Sequence, residues 1–193
     1  MDIFNQHMPA SKQPPAAGKL LVAEPFLADP NFSRAVILLC EHGEDGTVGF
    51  VLNRPTELTL SDLLPELATP SLLVHQGGPV QMDTLHMLHQ SPATLGGTGV
   101  ADGIYWGGSY EALQDILASG TALDSELKLY VGYSGWSAGQ LEGEMKEGSW
   151  LVTDPTRELL FETPADDMWK AAIRLMGREY NHLLNMPVNP QLN

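Results

Sequence analysis

The chain has 193 residues, 43% of them hydrophobic, which is enough for one well-buried core and too little for two. Its net charge is −14, from 24 acidic and 10 basic side chains, and no basic run occurs; duplex binding draws on Lys and Arg replacing counterions at phosphates, so direct nucleic-acid contact is not expected. No run reaches the ~18 apolar residues of a membrane span, the start lacks the features of a secretory signal, and the lone Cys40 has no internal partner for a disulfide, so a cytoplasmic protein is expected.

Residues 1–18 hold three prolines and no apolar periodicity, and read as a mobile tail before a single domain over 19–179. "GKLLVAEP" and "RAVILLCEH" read as strands, and the second forms a predicted hairpin with "VGFVLNRP" through the five-residue connection "GEDGT". "TELTLSDLLPEL" reads as a short helix capped by Ser61, with Leu60, Leu63, Leu64 and Leu67 on one face. "SLLVHQ" and "TLHMLHQ" are predicted strands on either side of "GGPVQMD", a segment suited to turning. After "LGGTG" comes a strand, "GIYWGG", and then the clearest helix, "SYEALQDILASG". Its cap is Ser109, its stripe Leu113, Ile116 and Leu117, and its stop Gly120. "ELKLYVGY" is the next strand, "GWSAGQLEGEMKEG" a turn into a helix, "SWLVTD" a strand and "ELLFETP" a short strand or turn. "ADDMWKAAIRLMG" closes the domain as a helix facing inward with Met168, Trp169, Ala172, Ile173 and Met176. Residues 180–193 read as loose. Strands dominate the first half and alternate with helices in the second, which predicts an α+β fold with a mixed sheet.

Residues 135–139, Gly-Trp-Ser-Ala-Gly, match G-x-S-x-G, the nucleophile elbow of α/β-hydrolases. That fold places an acid and then a histidine on later βα units of about 30 residues each, and only 56 residues follow Ser137. The one downstream histidine is His182. The oxyanion-like "HQGG" is followed by Pro79, which has no N–H to donate. Ser137 is therefore not expected to be an acyl nucleophile. Gly132, Gly135 and Gly139 flank Tyr133 and Trp136, which predicts a backbone kink packing two large rings closely, with Ser134 or Ser137 capping the next helix. That helix start also leaves ligand binding open.

Cys40, Glu41 and His42 end a strand, and alternation would set Cys40 and His42 on one face. A thiolate helped by imidazole is one reading; a buried thiol followed by polar loop residues is the one preferred. His86 and His89 fall on opposite faces of a strand, so no metal site is expected, and no cofactor motif is present. Asn53 and Arg54 end another strand. Arg54 could hold a carboxylate or phosphate in its fork of donors, with an internal salt bridge the preferred reading.

"GYSGWSAGQLEGE", together with "LLVAEPFLADPNFSRAVILLCEH", "GFVLNRP" and "GGPV", resembles the bacterial AlgH-like family, also known as YqgE, over about Lys19 to Gly177. The resemblance implies a mixed, bifurcated sheet with a small barrel-like portion, flanked by helices. Members of the family are often labelled transcriptional regulators, and the resemblance brings no catalytic residues. The resulting expectation is a non-catalytic regulatory or binding module with a protein or small-molecule partner. The rivals are an enzyme using Cys40 and His42 or the Ser137 turn, and a direct DNA binder.

Overall fold

The computed structural model describes residues 11–66, 72–120 and 125–187. Strands and helices run in the order β1 (Leu20–Ala23), β2 (Val36–Gly43), β3 (Gly46–Val51), β4 (Pro55–Thr59), α1 (Leu60–Leu63), β5 (Leu73–Gln76), β6 (Val80–His89), α2 (Pro92–Leu95), β7 (Thr98–Ala101) and β8 (Ile104–Trp106). Then come α3 (Tyr110–Ala118), β9 (Leu127–Ser137), α4 (Gln140–Lys146), β10 (Trp150–Thr153), α5 (Arg157–Phe161), α6 (Ala165–Met176) and a 3₁₀ helix (Arg178–Asn185). The fold is α+β. Among the described residues no helix is long and apolar enough to cross a membrane.

The strands join in the order β10-β1-β2-β3-β9-β6-β8-β7, with β4 and β5 branching off this path. The branch point is β9. Its first half pairs with β6 (antiparallel) and β5 (parallel), and its second half, from Ser134 on, pairs with β3. Gly132 makes the switch possible. It stands at φ +66°, where an added Cβ would lie 2.6 Å from the Gly78 carbonyl oxygen. The sheet is thus mixed and forked as expected, but the described strands do not close into a barrel. The strand at each end of the path is short, four residues in both β10 and β7.

The apolar pattern explains the layers. Alternate residues of β1 and β2 feed opposite faces: Leu20, Val22, Val36 and Leu38 on one, Leu21, Ile37 and Leu39 on the other. The first face is covered by α5 and α6, through Leu159, Leu160, Phe161, Met168, Trp169, Ala172 and Ile173. The second holds Trp136, Trp150 and Leu141 of α4. A third cluster lies under α1 and α3, where Leu60, Leu113 and Leu117 meet Val74, Met87, Leu129 and Val131. The Ser109 hydroxyl caps α3 through the Ala112 N–H, as expected, and Gly120 follows in the left-handed region.

Several expectations need correcting. The β2–β3 hairpin turns on Glu44 and Asp45 alone, since Gly43 pairs with Gly46. "TELT" is a strand paired with β5, which shortens the helix to four residues capped at Thr59 rather than Ser61. Leu67 lies outside the described residues. "ELLF" is helical because the Thr156 hydroxyl accepts from the Leu159 N–H and starts α5. The tail is held from Ser11, whose hydroxyl accepts from the Val152 N–H, while residues 1–10 lie outside the described part. At the other end, Tyr180 and Leu183 are buried in the first core cluster, and Arg34 donates to the Met186 carbonyl at 2.6 Å. Residues 180–187 are therefore part of the packed body. Residues 188–193 lie outside the described part.

Candidate functional site

A cleft of about 360 Å³ opens where the β2–β3 hairpin meets β9, lined by Glu41, Asp45, Thr47, Val48, Val80, Tyr133, Gly135 and Trp136. Two of the candidate residues, Glu41 and Trp136, meet there. His42 stands beside it. Its Nδ1 is 2.7 Å from the Thr47 hydroxyl and its Nε2 3.5 Å from a Glu142 carboxylate oxygen. Sequence reading missed Thr47 and Glu142, because the contact joins β3 to α4 across almost a hundred residues. A hydroxyl, an imidazole and a carboxylate in line can serve acyl transfer. Thr47, however, is only 5% exposed, inside a strand paired on both sides, and has little face open to a substrate. The chain of contacts fastens the hairpin to α4.

Cys40 does not join this group. The pairing of β2 with β3 shifts register between Leu39 and Glu41, so Cys40 is the extra residue of a bulge. The bulge reverses the alternation. Cys40 stays with Leu38 and Tyr130 in the first core cluster, while His42 turns towards α4 on the other face. Burial pushes the thiol well above its ordinary pKa, and the charge of Glu41 adds to the shift. The shared face expected for Cys40 and His42 is absent for this reason.

Only the first three residues of the G-W-S-A-G stretch are strand, and Ala138 and Gly139 turn the chain into α4. β9 continues through Ser137, with Trp136 opposite Thr47 and Ser137 opposite Gly46. Ser134 is fully buried and donates to the Gly77 carbonyl at 3.0 Å. The Ser137 N–H and hydroxyl both donate to the Gln140 side-chain oxygen, at 3.0 and 3.2 Å. Neither serine caps α4; the capping position is Gly139, with a left-handed backbone. The glycines of "QGGPV" have a structural use as well. Gly77 accepts from the Val51 N–H, and its own N–H donates to Val131, while Gly78 passes so close to Tyr133 that a Cβ would overlap its carbonyl.

Asn53 and Arg54 are occupied internally. The Asn53 amide accepts from the Val36 N–H at 3.0 Å and donates to the Arg34 carbonyl at 2.9 Å. Arg54 donates to the backbone carbonyls of Ser33 and Asn53. These carbonyls take the place of the expected carboxylate, and half-burial lowers the guanidinium pKa. His86 and His89 do face opposite ways. His86 packs on Phe50, and His89 is buried between the Gly107 carbonyl and the Ser91 N–H. Those two partners assign its proton to Nε2. Among the described residues no three His, Cys, Asp or Glu side chains are grouped to hold a metal.

The family model described as AlgH-like matches residues 20–181, nearly the whole described body. The chain belongs to the AlgH-like family. A UPF0301 protein of Chlorobaculum tepidum is 42% identical over 177 residues, covering 91% of this chain and 95% of that protein. A UPF0301 protein of Cytophaga hutchinsonii is 40% identical over 178 residues, covering 91% and 98%. The solution structure of the AlgH protein from Pseudomonas aeruginosa superposes with a TM-score of 0.68 at 32% identity, covering 91% and 98%. A Corynebacterium diphtheriae protein of 22% identity superposes at 0.75, covering 90% and 94%, and shares the fold. Within the AlgH-like body, the quoted motifs serve the β9 switch: "GGPV" crosses β9 at its kink, and "GYSGW" carries β9 from β6 to β3.

Proposed function

We propose that the chain is a non-catalytic, cytoplasmic regulatory or binding module. The observation that carries this reading is the state of Ser137, whose hydroxyl donates to the Gln140 side-chain oxygen rather than to a histidine. The thiol of Cys40, the other candidate nucleophile, is buried and held protonated by its surroundings. Regulation would then proceed through a protein or small-molecule contact rather than turnover. Direct duplex binding is disfavoured by the charge of −14.

The test is labelling by a fluorophosphonate probe and, separately, by iodoacetamide under native conditions. The expected result is no stoichiometric modification at Ser137, Thr47 or Cys40. Labelling abolished by Ser137→Ala or Thr47→Ala would make the chain an acyl-transfer enzyme and end this reading.

A further inference from the structure

We infer that the groove between α1 and α3 binds a basic amphipathic helix of a partner protein, a proposal that rests on the binding-module reading. The groove holds about 480 Å³ and is lined by Leu64, Glu66, Thr84, Leu85, Tyr110 and Gln114. Most of its lining surface is apolar, and Tyr110 stands 40% exposed at its edge with its hydroxyl donating to the Leu85 carbonyl. A helix offers such a groove two or three apolar side chains at i, i+3 or i+4 spacing, which is how amphipathic partners dock.

Charge selects the occupant. Between Pro55 and Leu127 the sequence has nine Asp and Glu residues and no Lys or Arg. Glu66 lines the groove, Asp62 precedes it on α1, and Asp83 adjoins Thr84. On α3, successive residues step by ~100°, which sets Glu111 and Asp115 on the solvent flank of the Tyr110 and Gln114 face. Both are exposed. The apolar floor therefore has an acidic rim without a compensating cation of its own segment. Lys and Arg on the flanks of a docked helix would meet it, steering the encounter and fixing orientation.

The other occupants fit less well. A second copy docking through the same face would set one acidic rim against another. The parts of this chain outside the described residues, 1–10, 67–71, 121–124 and 188–193, contain no Lys or Arg. Neither supplies the complementary charge.

The test uses the full chain and two fluorescent synthetic helices with the same Leu and Phe face, one flanked by Lys and Arg and the other by Glu. Anisotropy should show saturable binding of the basic helix, weakening as salt rises, and at least about tenfold weaker binding of the acidic one. Tyr110→Ala should weaken the basic helix about tenfold, as expected of losing an aromatic anchor. The double variant Glu66→Lys, Glu111→Lys should narrow the preference. Unfolding midpoints close to wild type would show that the variants fold. No binding of either helix, equal binding of both, or indifference to Tyr110→Ala overturns the proposal. So does a concentration-dependent dimer, seen by light scattering, that Tyr110→Ala abolishes. None of these outcomes touches the non-catalytic reading, which fails only on covalent labelling of the nucleophiles.

Discussion

Trp136 and Trp150 share one acceptor. Their indole N–H groups donate to the same Glu144 oxygen, at 2.9 and 2.7 Å, and the rings meet edge to face with centroids 6.0 Å apart. The second Glu144 oxygen accepts from Gln140, whose own oxygen holds Ser137. One carboxylate on α4 thus ties β9 to β10 and immobilises the serine of the apparent elbow.

Glu144→Ala removes the acceptor of two buried donors, and a buried donor left unpaired costs about 1–3 kcal/mol. Urea unfolding followed by tryptophan fluorescence should show a lower midpoint with unchanged slope. Glu144→Gln keeps an oxygen for the indoles and should cost less. Equal midpoints for all three proteins would make the shared carboxylate incidental.

Trp136→Ala should cost about 3–5 kcal/mol, the usual loss for a buried large aromatic. The ring is 5% exposed and stacks on Phe32 at 6.1 Å. An unchanged unfolding midpoint would show that this packing carries no stability.

The glycines around it should differ. Gly132→Ala places a Cβ at positive φ against two carbonyl oxygens, 2.6 and 2.9 Å away, and should destabilise strongly or prevent folding. Gly135 is not at positive φ, and its Cβ would meet side chains rather than backbone, the Tyr133 ring at 3.3 Å and Val80 at 4.0 Å. Gly135→Ala should therefore be tolerated far better, measured by thermal melts of both variants. The reverse order would mean that the fork of β9 does not depend on Gly132.

Stability should fall as the solution is acidified below about pH 6.5. Burial is the first cause that lowers the pKa of His75, His86 and His89 from 6.5, and Lys128 adds to it at His75. Above that pH the three are neutral in both states. Below it the unfolded chain takes up protons that the folded chain resists, so the folded state loses ground until its own histidines titrate. Urea midpoints at pH 7.5, 6.5 and 5.5 should decrease in that order, and His86→Phe should flatten the trend. A flat wild-type profile would contradict the burial argument.

Features that depend on neighbours along the chain were legible in the residues alone. The α3 cap at Ser109, the inward stripe of α6 and the opposed faces of His86 and His89 follow from helical and strand periods, and the structure shows each. The missing room for a hydrolase triad after Ser137 was equally legible. Features set by pairing between distant strands were not legible there. The bulge at Cys40 reverses alternation and separates it from His42, and no local pattern marks it, because the extra residue exists only relative to β3. The extension of β9 through Ser137 likewise required β3 as its partner; alone, Gly-Trp-Ser-Ala-Gly reads as a turn. Burial of Tyr180 and Leu183 came from the open face beside α6, which a mostly polar segment fills with these two side chains, three residues apart on its 3₁₀ helix, because that apolar surface would otherwise meet water.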